Sequence, residues 1–306
     1  MITLIFATHN GEKTLPSLLD ALCAINVPNG GLKIIAVDNA STDASVSIID
    51  QYRSKLPITL LSQPLRGKNK AINIALPYIE GDLVVFTDDD IVPAQDWLES
   101  YESAAQKYPN YQIFGGSIRP SWPRKPDKWI LEKVNQGVVY AATNPALKDE
   151  EVPPRQVWGG NMMIRSELFN CGNRFNEEIG PSKGNYTMGS ETEFTARMHK
   201  AGCLCRFVPE AKVFHIIRDN QLDLNWILGR AIKNGKSEYE QTQSGIASNV
   251  PRIFGIPRWV ITKAIREFIK AVMRGWKFSP DRSFASIWNF YRHVGYISAH
   301  IQNRKL

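Results

Sequence analysis

The sequence predicts an α/β fold: a mostly parallel central sheet flanked by helices, followed by a C-terminal helical extension. Three observations lead there. Short, nearly unbroken apolar runs of strand length alternate with segments of helical period. Polar clusters, His9-Asn10, Asp38-Asn39 and Asp88-Asp89-Asp90, directly follow three of those runs, and ligands of parallel sheets gather beyond the carboxyl ends of the strands. Beyond Pro251 the composition changes to basic segments with a helical apolar stripe.

Taken in order, Ile2–Thr8 is the first strand, because a continuous apolar run suits a strand buried on both faces. Leu15, Leu18, Leu19 and Leu22 follow at helical spacing. Leu32–Val37 is a second strand ending at Asp38. Ser41-Thr42-Asp43 offers helix-start chemistry for the stretch to Arg53. Ile58–Leu61 is a third strand, Asn69–Leu76 a helix, Leu83–Thr87 a fourth strand and Ala94–Tyr108 a helix. Pro120–Pro154 carries six prolines and two tryptophans and reads as irregular, a loop or short helix over the site. Ser190–Ala201 is a helix, and Cys205–Val208 and Val213–Ile217 are strand-like. No internal repeat is visible.

The chain has 306 residues, 43% apolar and 22% charged. That composition excludes disordered and collagen-like chains and allows an ample core. The four cysteines, Cys23, Cys171, Cys203 and Cys205, include one C-x-C but no second pair to complete a zinc spacing, which suits reduced thiols in a cytoplasmic protein. Met1–Ala7 lacks the basic and long apolar regions of a signal peptide, and no run is long enough for a conventional membrane span. The net charge is +7. Pro251–Leu306 holds eleven Lys and Arg against Glu267 and Asp281, a net of +9, which leaves −2 for the first 250 residues. A basic module thus follows a nearly neutral body.

The aspartate triplet carries the clearest chemistry. Adjacent carboxylates repel unless a cation neutralises them, and hard oxygen ligands suit Mg²⁺ or Mn²⁺, ions that also take phosphate oxygens. Side chains alternate along extended backbone, so Asp88 and Asp90 can converge. A solvated acidic turn is the plainer alternative. Asp38-Asn39 can accept from a base N–H or a ribose hydroxyl, although turn and capping chemistry explains the same residues. Arg66 through Asn73, with Lys68 and Lys70, makes a basic helix entrance that can meet a diphosphate or lie in solvent.

In order and spacing these pieces resemble family 2 glycosyltransferases, which have the GT-A fold. The resemblance runs from about Ile2 to Lys236. It takes in Ala7-Thr8-His9-Asn10, Val37 through Asp43, Gly67 through Asn73 and the Asp-x-Asp at Asp88–Asp90. It continues through Trp158-Gly159-Gly160-Asn161 and Gly189-Ser190-Glu191-Thr192-Glu193-Phe194. It implies an inverting transfer from a nucleotide-sugar, a UDP-sugar first among them, to a hydroxyl of a glycan or lipid-linked acceptor in surface polysaccharide synthesis. The domains implied are a catalytic domain over 1–236 and a helical extension over 237–306.

The resemblance also implies roles. Asp90 would hold the metal, with Asp88 near ribose and metal and His215 as a further ligand. The metal would stabilise the departing nucleotide. Thr8, His9, Asn10, Asp38, Asn39, Lys68, Asp88 and Asp89 would line the donor. His9 stands where an aromatic stacks on the base, and Asn39 where a second Asp contacts it. Glu191 takes the place of the catalytic Asp, as the carboxylate that accepts the proton of the acceptor hydroxyl. Trp158, Gly160, Asn161 and Glu193 would border the acceptor. Ser190-Glu191-Thr192-Glu193 also fits a capping box, and Glu193 can pair with Arg197.

In the tail, Ile261, Ile265, Phe268, Ile269, Val272 and Trp276 share one helical face, with Lys263, Arg266, Glu267, Lys270 and Arg274 on the other. Phe284, Ile287, Trp288, Tyr291 and Val294 form a second stripe. Such helices suit an anionic membrane, on the inner face of the cell membrane, or pack on the body or on a second copy in a homodimer. The rival functions are a nucleotidyltransferase, a nucleic-acid-binding module suggested by the basic charge, and a non-catalytic scaffold. The first lacks a Gly-rich pyrophosphate loop after the first strand. The second lacks any recognised motif and has a neutral body, so no nucleic-acid partner is expected.

Overall fold

The apolar runs form strands in the order the sequence predicts. The structure is a computed structural model that describes residues 1–179, 189–242, 250–275 and 280–303. The chain folds as two units. One comprises Met1–Ser121 and Tyr140–Ile216; the other comprises Trp122–Val139 and Ile217–Leu306.

The first unit opens with β1 (Ile2–Thr8), α1 (Leu15–Ala24), β2 (Leu32–Asp38), α2 (Ser45–Tyr52), β3 (Ile58–Ser62), α3 (Lys68–Ala75) and β4 (Leu83–Asp88). It continues with β5 (Ile91–Pro93), α4 (Trp97–Lys107) and β6 (Ile113–Ser121). The second unit interrupts here with α5 (Lys128–Lys133) and α6 (Gln136–Tyr140), the latter ending at the first residue of the returning chain. The first unit closes with β7 (Asn161–Arg165), α7 (Glu167–Asn170), α8 (Ser190–Lys200) and β8 (Cys205–Ile216).

One sheet of eight strands results, in the order β3-β2-β1-β4-β7-β6-β8-β5. β3, β2, β1 and β4 run parallel, β7 is antiparallel to both β4 and β6, β6 and β8 are parallel, and β5 is antiparallel to β8. Successive residues of β1 feed opposite faces, as pleating requires. Leu4 and Phe6 join Leu18, Leu19, Leu22, Trp97 and Tyr101 on one side, while Ile5 joins Ile35, Ile72, Phe86 and Phe194 on the other.

Three differences from the sequence reading have local causes. The helix expected from Ser41 begins at Ser45, because Asn10 and Asp43 hold residues 41–44 in a loop: the Asn10 side chain accepts from the Thr42 N–H (2.8 Å), and Asp43 accepts from the Ser45 N–H (3.0 Å). The two strand-like stretches after Cys205 are one strand, β8, whose pairing with β6 shifts between Gly116 and Ser117. β6 itself fills the stretch leading into the proline-rich segment, which is helical at α5 and α6 and irregular elsewhere.

The second unit adds α9 (Leu224–Thr242), a short hairpin of β9 (Arg252–Ile253) and β10 (Ile256–Pro257), α10 (Arg258–Met273) and α11 (Pro280–Asn303). The expected boundary at Lys236 falls inside α9, which runs through it unbroken. Gly235 of α9 and Gly295 of α11 lie where these two helices approach each other. A Cβ on Gly235 would strike the Arg292 carbonyl and one on Gly295 the Ile232 carbonyl, so the two backbones meet there. Among the described residues no helix is long and apolar enough to cross a membrane. Trp276, Lys277, Arg304 and Lys305 lie outside the described residues.

Candidate active site

The parallel register brings the polar clusters to one edge. Ala7 pairs with Val37 and with Asp88, and Thr8 pairs with Asp38. Residues 9–10, 38–39 and 88–90 therefore emerge side by side at the carboxyl ends of β1, β2 and β4.

Asp88, Lys68 and Glu191 meet there. Lys68, the first residue of α3, places its Nζ 2.6 Å from Asp88 Oδ1 and 2.7 Å from Glu191 Oε1. All three side chains are at least two-thirds shielded. Burial opposes the charge on Lys68, but the Asp88 and Glu191 carboxylates outweigh it and hold the ammonium well above the ordinary lysine range. Burial pushes the Asp88 carboxyl upward, Lys68 opposes that push, and the charges of Asp90 and Glu191 reinforce it, so the net direction is up. Two glycines make room for this group. A Cβ on Gly159 would overlap the Glu191 carboxyl, and one on Gly160 would lie 3.2 Å from Asp88 Oδ2. The Gly-Gly pair thus admits the chain's own carboxylates, a function its sequence context left open.

The three aspartates take different partners, and Asp89 and Asp90 stand in a turn after β4, not in extended backbone. Asp89 accepts from the Thr8 hydroxyl, which ties it to the end of β1. Asp90 lies beside His215, with Nε2 3.3 Å from Oδ2, and the Asp90 carbonyl accepts from the Ile216 N–H (2.8 Å). His215 stands opposite Ile91 in the β5–β8 ladder, and its Nδ1 donates to the Tyr140 carbonyl (2.7 Å). Burial disfavours the imidazolium, but the hydrogen bond and charge of Asp90 and the Tyr140 carbonyl raise the His215 pKa overall. Two carboxylates and an imidazole suit Mg²⁺ or Mn²⁺ in kind. Among the described residues no three His, Cys, Asp or Glu side chains converge to close a metal site by themselves, so further ligands would have to come from substrate or water.

The β1 and β2 ends form a cross-linked floor. His9 Nδ1 donates to the Asn39 carbonyl (2.8 Å), which sets its tautomer and leaves Nε2 as the second ring nitrogen. The Asn39 amide oxygen, expected to meet a base, accepts from the Gly67 N–H (3.1 Å) and so anchors the start of α3. Asp38 Oδ1 accepts from the Ser41 N–H (3.2 Å). Asn10, at a φ of 56°, donates its N–H to Ser41 Oγ (3.0 Å). These bonds set the loop geometry and use His9 Nδ1 but not Nε2.

The acceptor-side assignments fare unequally. Asn161 is fully buried and its side-chain amide is held within the core. Its amide nitrogen donates to the Ser117 (3.1 Å) and Ala211 (2.8 Å) carbonyls, and its oxygen accepts from Trp97 Nε1 (2.8 Å) and the Tyr101 hydroxyl (2.7 Å). It plugs the irregularity between β6 and β8. Trp158 is half-buried and packs on the core, and the Gly160 carbonyl accepts from Thr87 Oγ1 (3.0 Å). Glu193 pairs with Arg197, Oε1 to Nε at 2.9 Å. The capping box does not form, because Gly189, at a φ of 100°, is the N-cap of α8 and has no side chain to close it.

Comparison with known proteins bears on the family and the fold. The sequence model of "Glycosyl transferase family 2" matches residues 3–172. The succinoglycan biosynthesis protein ExoM of Rhizobium meliloti (strain 1021) is 27% identical over 233 residues, 73% of this chain and 69% of that protein. The crystal structure of residues 1–349 of Staphylococcus aureus TarS in complex with UDP-GlcNAc superposes with a TM-score of 0.53 at 16% identity, over 98% of this chain and 92% of that one. The mannosyltransferase PcManGT of Pyrobaculum calidifontis, in complex with GDP-Man and Mn²⁺, gives a TM-score of 0.61 at 16% identity, over 97% of this chain and 86% of that one.

Proposed function

Because the chain belongs to glycosyl transferase family 2 and has the GT-A fold, we propose that it moves a sugar, with inversion, from a UDP-sugar to a hydroxyl of a glycan or lipid-linked acceptor in surface polysaccharide assembly. The observation that carries this reading is the Lys68 ammonium bridging Asp88 and Glu191 at the carboxyl edge of the sheet. The names of the relatives agree with it: one acts in succinoglycan biosynthesis and one was crystallised with UDP-GlcNAc.

Glu191 is the base. Its carboxylate accepts the proton of the acceptor hydroxyl as that oxygen attacks the anomeric carbon from the face opposite the diphosphate. The bond from the anomeric carbon to the diphosphate oxygen breaks, and its electron pair leaves with the nucleotide. Lys68 holds Glu191 in place before the donor arrives, and its charge is within reach of an entering diphosphate at Asp88. Asp90, with Asp88 or His215 as a second protein ligand and substrate or water for the rest, would hold Mg²⁺ or Mn²⁺, which would supply charge neutralisation to the leaving diphosphate. Asp89, fixed by Thr8, keeps the segment in register, and His9 offers its ring to the base. Trp158 and the Gly159-Gly160 turn border the acceptor side.

The test is thermal stabilisation by UDP, GDP, TDP and CDP, with and without Mn²⁺, alongside release of UDP from UDP-sugars. A ligand at one hundred times its dissociation constant adds about 2.7 kcal/mol of stability. UDP with Mn²⁺ is expected to give the largest shift. A larger shift with GDP overturns the choice of base, and no shift with any nucleotide overturns the reading.

A further inference from the structure

α10 and α11 are both amphipathic, yet they use their apolar residues in opposite ways. α11 turns Phe284, Ile287 and Tyr296 inward, where Ile287 meets Leu228 and Ala271, and Tyr296 meets Tyr239 and Val260. α10 has Val260, Ala264, Glu267 and Ala271 as its buried residues, with Ile261 packed beside them. Its large apolar residues face out: Ile265 is 54% exposed, Ile269 50%, Val272 54% and Met273 81%. Phe268, 42% exposed, leans on Phe290. A helix that served only to pack would present its larger side chains to its neighbour. Here small residues and one acid fill most of the buried positions, Trp259, Ile261 and Phe268 touch the neighbours only in part, and a contiguous apolar stripe is left on the surface, a pattern that marks an interaction site.

The charge beside the stripe selects the partner. At helical spacing Lys263, Arg266, Lys270 and Arg274 line one edge of it. Glu267 accepts from Lys270 Nζ (3.0 Å) and lies 3.4 Å from Arg266 Nε, so one acid stands against four cations. Just before the helix, the β9–β10 hairpin presents Phe254, 86% exposed, between Arg252 and Arg258. Two copies of the chain meeting through this face would bring like charges together. An anionic surface would meet cations with its headgroups and the stripe with its acyl boundary.

We propose that the outward face of α10, Ile265, Phe268, Ile269, Val272 and Met273 with their basic edge, is a docking surface for an anionic membrane. The helix lies in the plane of the interface and does not cross it. α11 takes no part, since its stripe is already covered by α9 and α10. The proposal stands apart from the transfer chemistry, because its readout is binding alone.

The test is co-sedimentation of the full chain with vesicles rich in phosphatidylglycerol and with pure phosphatidylcholine vesicles, across a salt series. Two double variants accompany the wild type: Ile265→Asp with Ile269→Asp, and Lys263→Gln with Arg274→Gln. The wild type is expected to bind the anionic vesicles, and to release as salt rises. The apolar variant should bind about tenfold or more weakly, since insertion of the stripe is lost. The charge variant should lose affinity and salt dependence together. All four substitutions are at exposed positions, so melting temperature and UDP binding should be unchanged and serve as controls for folding. No binding by the wild type, equal binding to both vesicle types, or full binding by the apolar variant overturns the proposal. So does a wild-type dimer in sedimentation that the apolar variant dissolves without any vesicle binding.

Discussion

On β2, β1 and β4, which with β3 form the parallel half of the sheet, Leu4, Ile5, Phe6, Ile34, Ile35, Val37, Val84, Val85 and Phe86 are buried, and the buried polar residues, Thr3, Thr8, Asp38 and Thr87, stand mainly at the strand ends. On β7, β6, β8 and β5 the core is apolar too, but polar groups hold the strands in register. Asn161 bridges β6, β8 and α4. Asp149 accepts from the Tyr108 hydroxyl (2.6 Å) and from Arg206 Nε (2.7 Å), and the Arg206 guanidinium lies 3.5 Å from the Tyr108 ring centre. Parallel strands with matched register need only burial on both faces. A mixed half with an irregular pairing needs specific partners, because each displaced carbonyl must find a donor. The carboxylates of the site stand where the halves adjoin, with Asp88 ending β4 beside β7.

Replacing Asn161 should give the largest effect. Asn161→Ala strands Trp97 Nε1 and two carbonyls in the core and leaves the Tyr101 hydroxyl only the backbone carbonyl of residue 161. At about 1–3 kcal/mol for each of the three unpaired groups and about 1 kcal/mol for the lost Tyr101 contact the cost should reach about 4 kcal/mol or more. Ile35→Ala, in the parallel half, should cost about 3 kcal/mol through its cavity. Denaturant titration measures both. If Ile35→Ala proves the more damaging, the difference between the halves is not real.

A smaller effect attaches to Asp149, whose carboxyl burial pushes up but whose hydrogen bonds from Tyr108, Arg206 and Lys107 hold it below the usual range. A depressed folded pKa contributes stability above the unfolded value near 3.8 and loses it as pH falls through the folded value. Asp149→Asn should therefore cost about 1–2 kcal/mol at neutral pH, given charge-assisted hydrogen bonds in part open to solvent. The difference from wild type should vanish at lower pH. A constant difference across the pH range would remove the charge from the explanation. The smallest effect belongs to Lys33 in the parallel half. Its pair with Glu80, at 2.5 Å, has a partner 57% exposed, so Lys33→Met should change stability by no more than about 0.5 kcal/mol.

The same contrast explains what could be read from the sequence. β1 through β4 and the helices between them were legible, because their apolar runs and periods are unbroken. β5 has three residues, β7 has five beside Gly159-Gly160, and β6 contains Gly115, Gly116 and Pro120; such strands resemble loops until their partners are known. The grouping of residues 9–10, 38–39 and 88–90 on one edge followed from strand order. The meeting of Lys68 with Glu191, separated by 123 positions, did not, nor did the role of Gly159 in admitting that carboxylate. In α10 the period was plain, but no periodicity says which face a neighbour will cover.

The most direct test of the account is the kinetic comparison of Glu191→Gln with Glu193→Gln, measured as kcat for UDP-sugar turnover together with melting temperature. Glu191→Gln keeps the shape and removes the proton acceptor, so kcat should fall by about 10²–10⁴-fold with donor binding retained. Glu193→Gln, whose described partner is Arg197 on the same helix, should lower the melting temperature slightly and leave kcat nearly intact. Full turnover in Glu191→Gln, with loss of turnover in Glu193→Gln at an unchanged melting temperature, would contradict the assignment of the base.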